Sequence, residues 1–446
     1  DKDMVEPETI FYITGRLPAD GILKKFTWIP KDWVVGSSDW DVAVHFPKVR
    51  DEYFMRVEMN STLEGTAITL SDAISKIAST PLAIDFELRA LGDALQVDVN
   101  SEDNFTFFAS RNDGNIWDFV VDSSLVRGSG RSAEDLNKES TSYLDLDYID
   151  LPKVFKTTKK DGGKISLPPT FFPSLSFKVK ELYWNGWKFN NVKLETSWHS
   201  HGMLINSVDF LGPSLQVNAR GSWLTSWKNE HESNFKIFVN SSDLGNTLSS
   251  LNISDAIKAS KYSTTIDWQW FEEPYRFSWE TVQGNSHFTM KDGEVKALDP
   301  GAGGRFVGFF NIFKLFNRLT LDFDDVSSEG FVFESVEGNY EFRDGLALTK
   351  NIEVSASAAD MKLQGQIGMV NKDYDMLMQV EPHLSAATFT TGALAGGPIL
   401  GAGLVLINKI FGLEESTFDE YKITGSWSDP QVKKVVERNT EEAAAQ

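Results

Sequence analysis

The sequence contains no cysteine and comparatively few cationic side chains. Its 446 residues include 43 lysines and arginines against 64 aspartates and glutamates, for a formal net charge of -21. The absence of cysteine excludes a disulfide framework and cysteine-ligated zinc or iron–sulfur sites. The shortage of cations argues against nucleic-acid binding, because a nucleic-acid-binding protein needs basic patches that displace counterions.

Long uncharged runs are rare as well, and the clearest is Leu384–Asn408, 25 residues without a charge. Its length would allow it to span a bilayer. It is also rich in glycine, and small residues at four-residue spacing permit close packing of a helix against its neighbours. Three interpretations remain open: a buried plug at the end of a sheet, a segment touching or entering a membrane, and a transmembrane helix.

Residue patterns typical of catalysis and metal binding are weak. His199 and His201 lie two apart, but their strand also carries Lys193, Glu195 and Ser197, so we interpret this face as solvated. Two acid pairs, Asp145 with Asp147 and Asp322 with Asp324, are interpreted in the same way. No Gly-x-Ser-x-Gly motif is present. The sequence therefore predicts a protein that is not an enzyme and has no metal or cofactor.

The dominant signal is alternation of apolar and polar residues with a period of two, which predicts strands. Leu95, Val97 and Val99, for example, alternate with polar residues. Gly-containing dipeptides between such runs predict hairpin turns. They are Asp113-Gly114, Asn185-Gly186, His201-Gly202, Asp292-Gly293 and Asp344-Gly345. The pattern predicts a mainly β protein with an antiparallel, meandering sheet of repeated strands.

Helices are predicted at few places. Capping residues, apolar periodicity and a proline in the first turn indicate four of them. They are Asp72–Ser79, Ser254–Ala259, Arg305–Arg318 and Pro430–Glu437.

Aromatic residues are abundant, with 13 Trp and 32 Phe. Two sheets could bury these side chains against each other as a sandwich. Alternatively, a curved sheet could leave them exposed in a groove, and a large exposed apolar surface normally marks a binding site. The pattern alone leaves both interpretations open.

The carboxyl-terminal third carries motifs of a known family. They are Gly304-Arg305-Phe306 before a Phe-rich helix, Arg318 to Val326, Gly330-Phe331-Val332-Phe333, Asp373-Tyr374-Asp375, Val380-Glu381-Pro382-His383, Ala393 to Gly412, and Tyr421 to Pro430. In this order the sequence resembles the YhdP branch of the AsmA-like family over about residues 300–432. The likeness over residues 10–300 rests on the strand rhythm and on Leu144 to Asp147.

The resemblance implies an elongated, twisted antiparallel sheet curled into an apolar groove, with a few short helices and an apolar C-terminal helix. It also implies a protein anchored in the inner membrane of a Gram-negative bacterium, whose groove crosses the periplasm and carries phospholipid to the outer membrane. Since the sequence begins at Asp1, we expect the amino-terminal anchor to lie outside it and this chain to be the outer-membrane end.

The candidate site residues follow from this expectation. The groove would be lined by Leu175, Phe177, Val179, Val192, Leu194, Trp198, Leu215, Val217, Ile266, Trp268, Trp270, Leu321, Phe323, Met361, Leu363, Met376 and Met378. A cap or a membrane contact would be formed by Phe306, Phe309, Phe310, Phe313, Phe316, Leu394, Ile399, Leu400, Leu404, Leu406, Ile407 and Phe411.

Five segments are predicted along the chain. They are the first part of the groove (1–150), a Lys/Gly/Pro-rich loop (151–174), the continuing groove with its Phe-rich helix (175–383), an apolar Gly-rich helical segment (384–412), and a final strand with a C-terminal helix (413–446). Two other functions remain alternatives: a structural or tethering β-sandwich of the envelope, and a polysaccharide-binding or hydrolysing β protein.

Overall fold

The fold was analysed in a computed structural model. The structure describes residues 8–19, 33–48, 53–69, 75–101, 105–111, 115–132, 140–151, 168–184, 187–212, 214–228, 230–251, 257–296, 330–357, 359–383 and 419–435. These residues form two compact units. Unit 1 comprises Asp1–Gly212 with Arg220–His231, and unit 2 comprises Pro213–Ala219 with Glu232–Gln446.

Unit 1 is built almost entirely from strands. They are β1 (Glu8–Pro18), β2 (Val34–Pro47), β3 (Met55–Ser61), β4 (Thr66–Thr69), β5 (Ser75–Lys76), β6 (Ile84–Leu91), β7 (Ala94–Ser101), β8 (Phe105–Arg111), β9 (Trp117–Ser123), β10 (Val126–Arg131), β11 (Thr141–Asp150), β12 (Ser174–Trp184), β13 (Trp187–His199) and β14 (Gly202–Leu211). The next strand, β15 (Leu215–Thr225), contributes residues to both units.

Most neighbouring strands of unit 1 pair in antiparallel fashion, in the order β1-β2-β3-β6-β7-β8-β9-β10-β11 and then β12-β13-β14. β4 and β5 form a short branch on β2. β11 and β12 pair in parallel. A parallel pair requires a long connection, and 23 residues separate the end of β11 from the start of β12 in the sequence. The sequence did not predict this parallel pair.

Unit 2 contains the remaining strands. They are β16 (His231–Ser241), β17 (Ile257–Trp270), β18 (Gln283–Lys296), β19 (Gly330–Arg343), β20 (Leu346–Ser355), β21 (Ala359–Gly368), β22 (Asp373–Pro382), β23 (Asp419–Ser426) and β24 (Pro430–Lys434). Each pairs antiparallel with the next. The predicted mainly β fold with repeated antiparallel strands is confirmed.

One face of the sheet in unit 2 is a closed core. Val336, Ile367, Met376, Met378 and Ile423 are inaccessible to solvent, while the residues between them along each strand face outward. Aromatic rings extend this core at the hairpin between β17 and β18, where Trp268 contacts Phe277, Trp279 and Phe342 with centroid distances of 5.0–5.5 Å. Burial of these apolar side chains is the main stabilising contribution to unit 2.

Three of the four predicted helices are wrong where the structure describes them. Ser75–Lys76 is a strand, β17 begins at Ile257, and Pro430–Lys434 is the edge strand β24. In each case strand pairing overrides the local helix signal, and proline is tolerated at the start of an edge strand. Residues 436–446, 305–318 and 384–412 lie outside the described residues.

A helix lies instead at α1 (Leu244–Ser250), which the sequence analysis missed. Its N-cap is Asp243, whose side chain accepts a hydrogen bond of 2.9 Å from the backbone N–H of Asn246. Leu244 and Leu248 bury one side of the helix in the core of unit 2. Asp243 is a favourable N-cap residue, but the sequence analysis placed the helix start at Ser254 instead.

Two predicted hairpin turns are confirmed and one is wrong. His201 precedes β14 at the turn from β13, and Asp344-Gly345 joins β19 to β20 with φ values of 52° and 73°. Asp292-Gly293 lies inside β18, where Asp292 has φ 55° opposite an irregular Ser260. The positive φ of Asp292 therefore belongs to a local irregularity within β18 and does not mark a turn. The dipeptides at 113–114 and 185–186 lie outside the described residues.

Replacing Met376 by Ala tests the closed core of unit 2. Met376 is fully buried opposite Ile423, so Met376→Ala leaves a cavity and should lower the free energy of unfolding by about 2–5 kcal/mol. Leu377→Ala is the matched control, because Leu377 is half-buried on the opposite face, and it should cost less than half as much. Urea unfolding measures both; equal losses would contradict a one-sided core.

Candidate functional site

The candidate site is one face of the sheet in unit 1, called the apolar face below. Directly paired residues of neighbouring strands point to the same side of a sheet. One unbroken row of such residues runs through 12 strands and contains only apolar side chains and one glycine. It consists of Phe11, Val44, Val57, Leu88, Val97, Ala109, Phe119, Gly130, Leu144, Phe177, Leu194 and Val208.

A second row lies two residues away along the strands and is also entirely apolar. It consists of Ile13, Val42, Met59, Phe86, Val99, Phe107, Val121, Gly128, Leu146, Val179 and Val192. The two rows together make a continuous apolar surface along the direction in which the strands are stacked.

The apolar face of unit 1 is far less buried than the core of unit 2. Val57, Leu88, Val97 and Phe107 are all half-buried, and at the edge strand β1 the side chain of Phe11 is 56% exposed. Within the two rows, burial is confined to Ala109 and to Leu146, Val179 and Val192 on β11 to β13. An apolar surface of this extent that remains accessible is typical of a binding surface.

β10 crosses the apolar face with glycines rather than side chains. A Cβ atom on Gly130 would lie 2.5 Å from the ring of Phe119 and 2.8 Å from a methyl group of Leu144. Gly128 has φ 148° at a register shift between β10 and β11, and a Cβ there would lie 2.5 Å from a backbone oxygen. Because these glycines have no side chain, the side chains of Phe119 and Leu144 can lie over β10. Glycine at such a position also allows the sheet to bend.

The opposite, polar face of unit 1 carries ion pairs. Arg127 donates to Asp122 at 2.8 Å, Arg131 donates to Asp118 at 2.6 Å, and Lys180 donates to Asp147. The hydrogen bond from Arg131 is the main cause that lowers the pKa of Asp118. Asp145 and Asp147 are exposed, as predicted for a wet sheet face.

A shallow depression of about 570 Å³ lies on this polar face, between Phe108, Val120 and Tyr143. It also brings two acids together, Asp118 and Asp145. Glycoside hydrolysis needs a carboxylic acid whose pKa is raised, whereas the pKa of Asp118 is lowered. Asp118 is therefore unsuited to act as the general acid of such a reaction.

A polar network attaches the edge strand β1 to its neighbours. The Nδ1 atom of the buried His45 lies 3.1 Å from Oε1 of Glu8, and its Nε2 atom lies 3.4 Å from a carboxylate oxygen of Glu58. Arg56 pairs with Glu58 at 3.3 Å, and Tyr53 donates to Glu8 at 3.4 Å. The hydrogen bond with His45 is the main cause that lowers the pKa of Glu8.

The predicted groove residues divide between the two units. Leu175, Phe177, Val179, Val192, Leu194 and Trp198 lie on β12 and β13, and four of them belong to the two apolar rows. Leu215 and Val217 lie half-buried on β15. The structure therefore brings the first six candidates together on the apolar face of unit 1, where their role in binding stays a prediction.

The candidates in unit 2 lie in different surroundings. Met361, Leu363, Met376 and Met378 are in the closed core, and Trp268 packs against it. Trp270 is buried beside Phe277, and Ile266 is half-buried on β17. Leu321, Phe323 and the 12 residues predicted to form a cap or a membrane contact lie outside the described residues.

Much of the apolar face was missed by the candidate set drawn from the sequence. The strands β2, β3 and β6 to β9 contribute Val57, Phe86, Leu88, Phe107 and Phe119 among others. The signal that could have found them was present, since each lies in the same two-residue alternation as the residues chosen. What was lacking was the register that connects separate alternating strands into rows.

Two kinds of feature are absent from the part of the chain that the structure describes. No group of three or more histidine, aspartate and glutamate side chains there is placed to hold a metal ion. No helix among those residues combines the length and the apolar character needed to cross a membrane.

Comparison with known proteins identifies the family of the chain and a relative in Escherichia coli. The family model described as YhdP protein matches residues 95–432. The intermembrane phospholipid transporter YhdP of Escherichia coli (strain K12) is 25% identical over 302 residues, a match that covers 66% of this chain and 24% of that protein. The chain thus spans about a quarter of the length of this relative. No solved structure matches it.

The Glu8–His45 contact predicts a pH dependence of the edge strand. Because the pKa of Glu8 is lowered from its ordinary value of 4.5, the carboxylate stabilises β1 above that pH, and this contribution is lost as the pH falls through the lowered pKa. Amide hydrogen exchange, corrected for intrinsic rates and compared at about pH 6 and about pH 3, should show loss of protection in β1 relative to β7. Glu8→Gln should remove the pH dependence; an unchanged dependence would refute the assignment.

Proposed function

Because the chain belongs to the YhdP protein family, we propose that it forms part of a phospholipid-transfer protein and that the apolar face of unit 1 is the surface along which lipid moves. The observation that supports this is the pair of unbroken apolar rows, whose members on β1 to β10 are half-buried or exposed apart from Ala109. The relative is an intermembrane phospholipid transporter by name, which fits acyl chains as the ligand.

The physical barrier to lipid transfer is the exposure of acyl chains to water. Each CH₂ group that leaves an apolar environment costs about 0.8 kcal/mol, so two acyl chains cost roughly 20 kcal/mol. A continuous apolar row exchanges one apolar contact for the next, so the chains stay out of water at every step. No covalent step is needed, and the protein acts without a catalytic residue, metal or cofactor.

We further propose the location that the family resemblance implied. The chain lies in the periplasm of a Gram-negative bacterium, near the outer membrane, and an amino-terminal segment of the longer protein anchors it in the inner membrane. The direction in which the rows run, from strand to strand, gives a path that lengthens with each added strand. This arrangement suits transport between two membranes.

The apolar face can be tested with two neighbouring valines of β9. Val121 lies in the second apolar row, whereas Val120 lies on the polar face and is 52% exposed. The full chain, purified without detergent and incubated with phosphatidylethanolamine–phosphatidylglycerol vesicles, should retain phospholipid measurable by native mass spectrometry. Val121→Glu should reduce the bound lipid by about tenfold, because a carboxylate is strongly disfavoured among acyl chains.

Val120→Glu is the matched control and should leave the bound lipid within about twofold of the original, since its carboxylate faces water. Circular dichroism must show that both variants are folded. A folded original chain that takes up no lipid would contradict the proposal and favour the structural or tethering alternative. Equal lipid loss in both variants would show that the apolar face is not the binding surface.

A further inference from the structure

Among the described residues, one cation lies on the side of unit 1 that carries the two apolar rows, at the end of β8. Arg111 pairs directly with Leu95 on one side and with Trp117 on the other. The row that contains it continues through Ala90 to Met55, and its other four members are apolar. Arg111 therefore shares the side of the sheet that carries the two apolar rows, and it stands at their border.

Arg111 differs from the arginines on the polar face in having no anionic partner. Arg56, Arg89, Arg127 and Arg131 each pair with a carboxylate. Among the described residues no carboxylate lies within 4.0 Å of the Arg111 guanidinium, and its buried Nε atom forms no hydrogen bond. A partly buried guanidinium without a partner is costly unless a ligand supplies the anion.

The Arg111 guanidinium packs on an aromatic ring. It lies over the ring of Trp117, with 5.6 Å between Cζ and the ring centroid. Trp117 is held in turn by two hydrogen bonds with Ser132, one from its backbone N–H to Oγ and one from the Ser132 N–H to its carbonyl. Stacking on an aromatic ring orients a guanidinium while leaving its donors free for a planar or tetrahedral anion.

Along β8, this side of the sheet has a charged residue at one end and apolar residues after it, just as a phospholipid has a charged head group followed by apolar acyl chains. From Arg111 it continues through Ala109 and Phe107 to Phe105, all on one side. At about 3.3 Å per residue this path is roughly 20 Å long, which exceeds the ~15 Å thickness of one hydrocarbon leaflet. A phosphate at Arg111 would place acyl chains along the apolar residues that follow.

We propose that Arg111, stacked on Trp117, binds the phosphodiester of a phospholipid whose acyl chains lie on the apolar face. Arginine suits this ligand because its fork of donors binds phosphate oxygens in pairs. The inference rests on the proposed function, since it assigns the head-group contact of the same surface. It adds selectivity: a lipid without phosphate would be bound less well than a phospholipid.

The test measures selectivity rather than total lipid. The full chain is incubated with vesicles that contain phosphatidylglycerol and diacylglycerol in equal amounts, and native mass spectrometry gives the ratio of the two bound lipids. The original chain should favour the phospholipid. Arg111→Gln should lower that ratio about tenfold or more, the scale of one charge-assisted hydrogen bond, with diacylglycerol binding unchanged. Arg111→Lys should restore part of it.

Arg127→Gln removes the same charge from the polar face and should leave the ratio unchanged. A ratio that Arg111→Gln leaves unchanged, with lipid still bound, would overturn the inference while the proposed function stands. A chain that binds neither lipid would overturn both. Glycerol phosphate, which has no acyl chains, tests for a free-anion site: binding of it as tight as that of phosphatidylglycerol would overturn the assignment to a lipid.

Discussion

The register between strands is the constraint on which the apolar face of unit 1 depends. Side chains alternate with a period of two, so a slip of one residue between any two strands would move every later apolar side chain to the wet side. The row from Phe11 to Val208 stays on one side across 12 strands. At the register shift between Arg127 and Gly128, a glycine absorbs the irregularity and the rows continue.

Both units consist of strands with alternating apolar and polar residues, but their apolar faces have different roles. In unit 2 the apolar side chains of β19 to β23, such as Met376 and Ile367, are sealed from solvent, so their contribution is stability. In unit 1 the corresponding side chains remain half-buried, so part of their hydrophobic free energy is still available to a ligand. The open question between a sandwich and a groove thus has a local answer: a closed core in unit 2 and an accessible apolar face in unit 1.

Charged side chains in unit 1 lie mostly on its polar face. On the polar face of unit 1 cations and acids neutralise each other, as Arg131 does with Asp118, and exposed pairs of this kind add little stability. They favour solubility of a strongly acidic chain and discourage pairing of the wrong faces. Arg111 breaks the pattern because it lies on the apolar side without a carboxylate partner among the described residues. Its position is informative for that reason.

The sequence by itself determined the fold class, the strand rhythm and the family, because alternation in Leu95–Val99 or Leu175–Val179 is a local property. It also identified six residues of β12 and β13 that lie together. Only the tertiary structure decided which strands are neighbours, including the parallel pair β11–β12 and the unit boundary near residue 212. The helix signals at Asp72–Ser79 and Pro430–Glu437 failed because hydrogen bonding to the preceding strand, β4 or β23, outweighs the helix preference of the segment itself. Only the tertiary structure separates Arg111 from Arg127, because Arg127 has Asp122 across the sheet whereas Arg111 has Leu95 and Trp117 there.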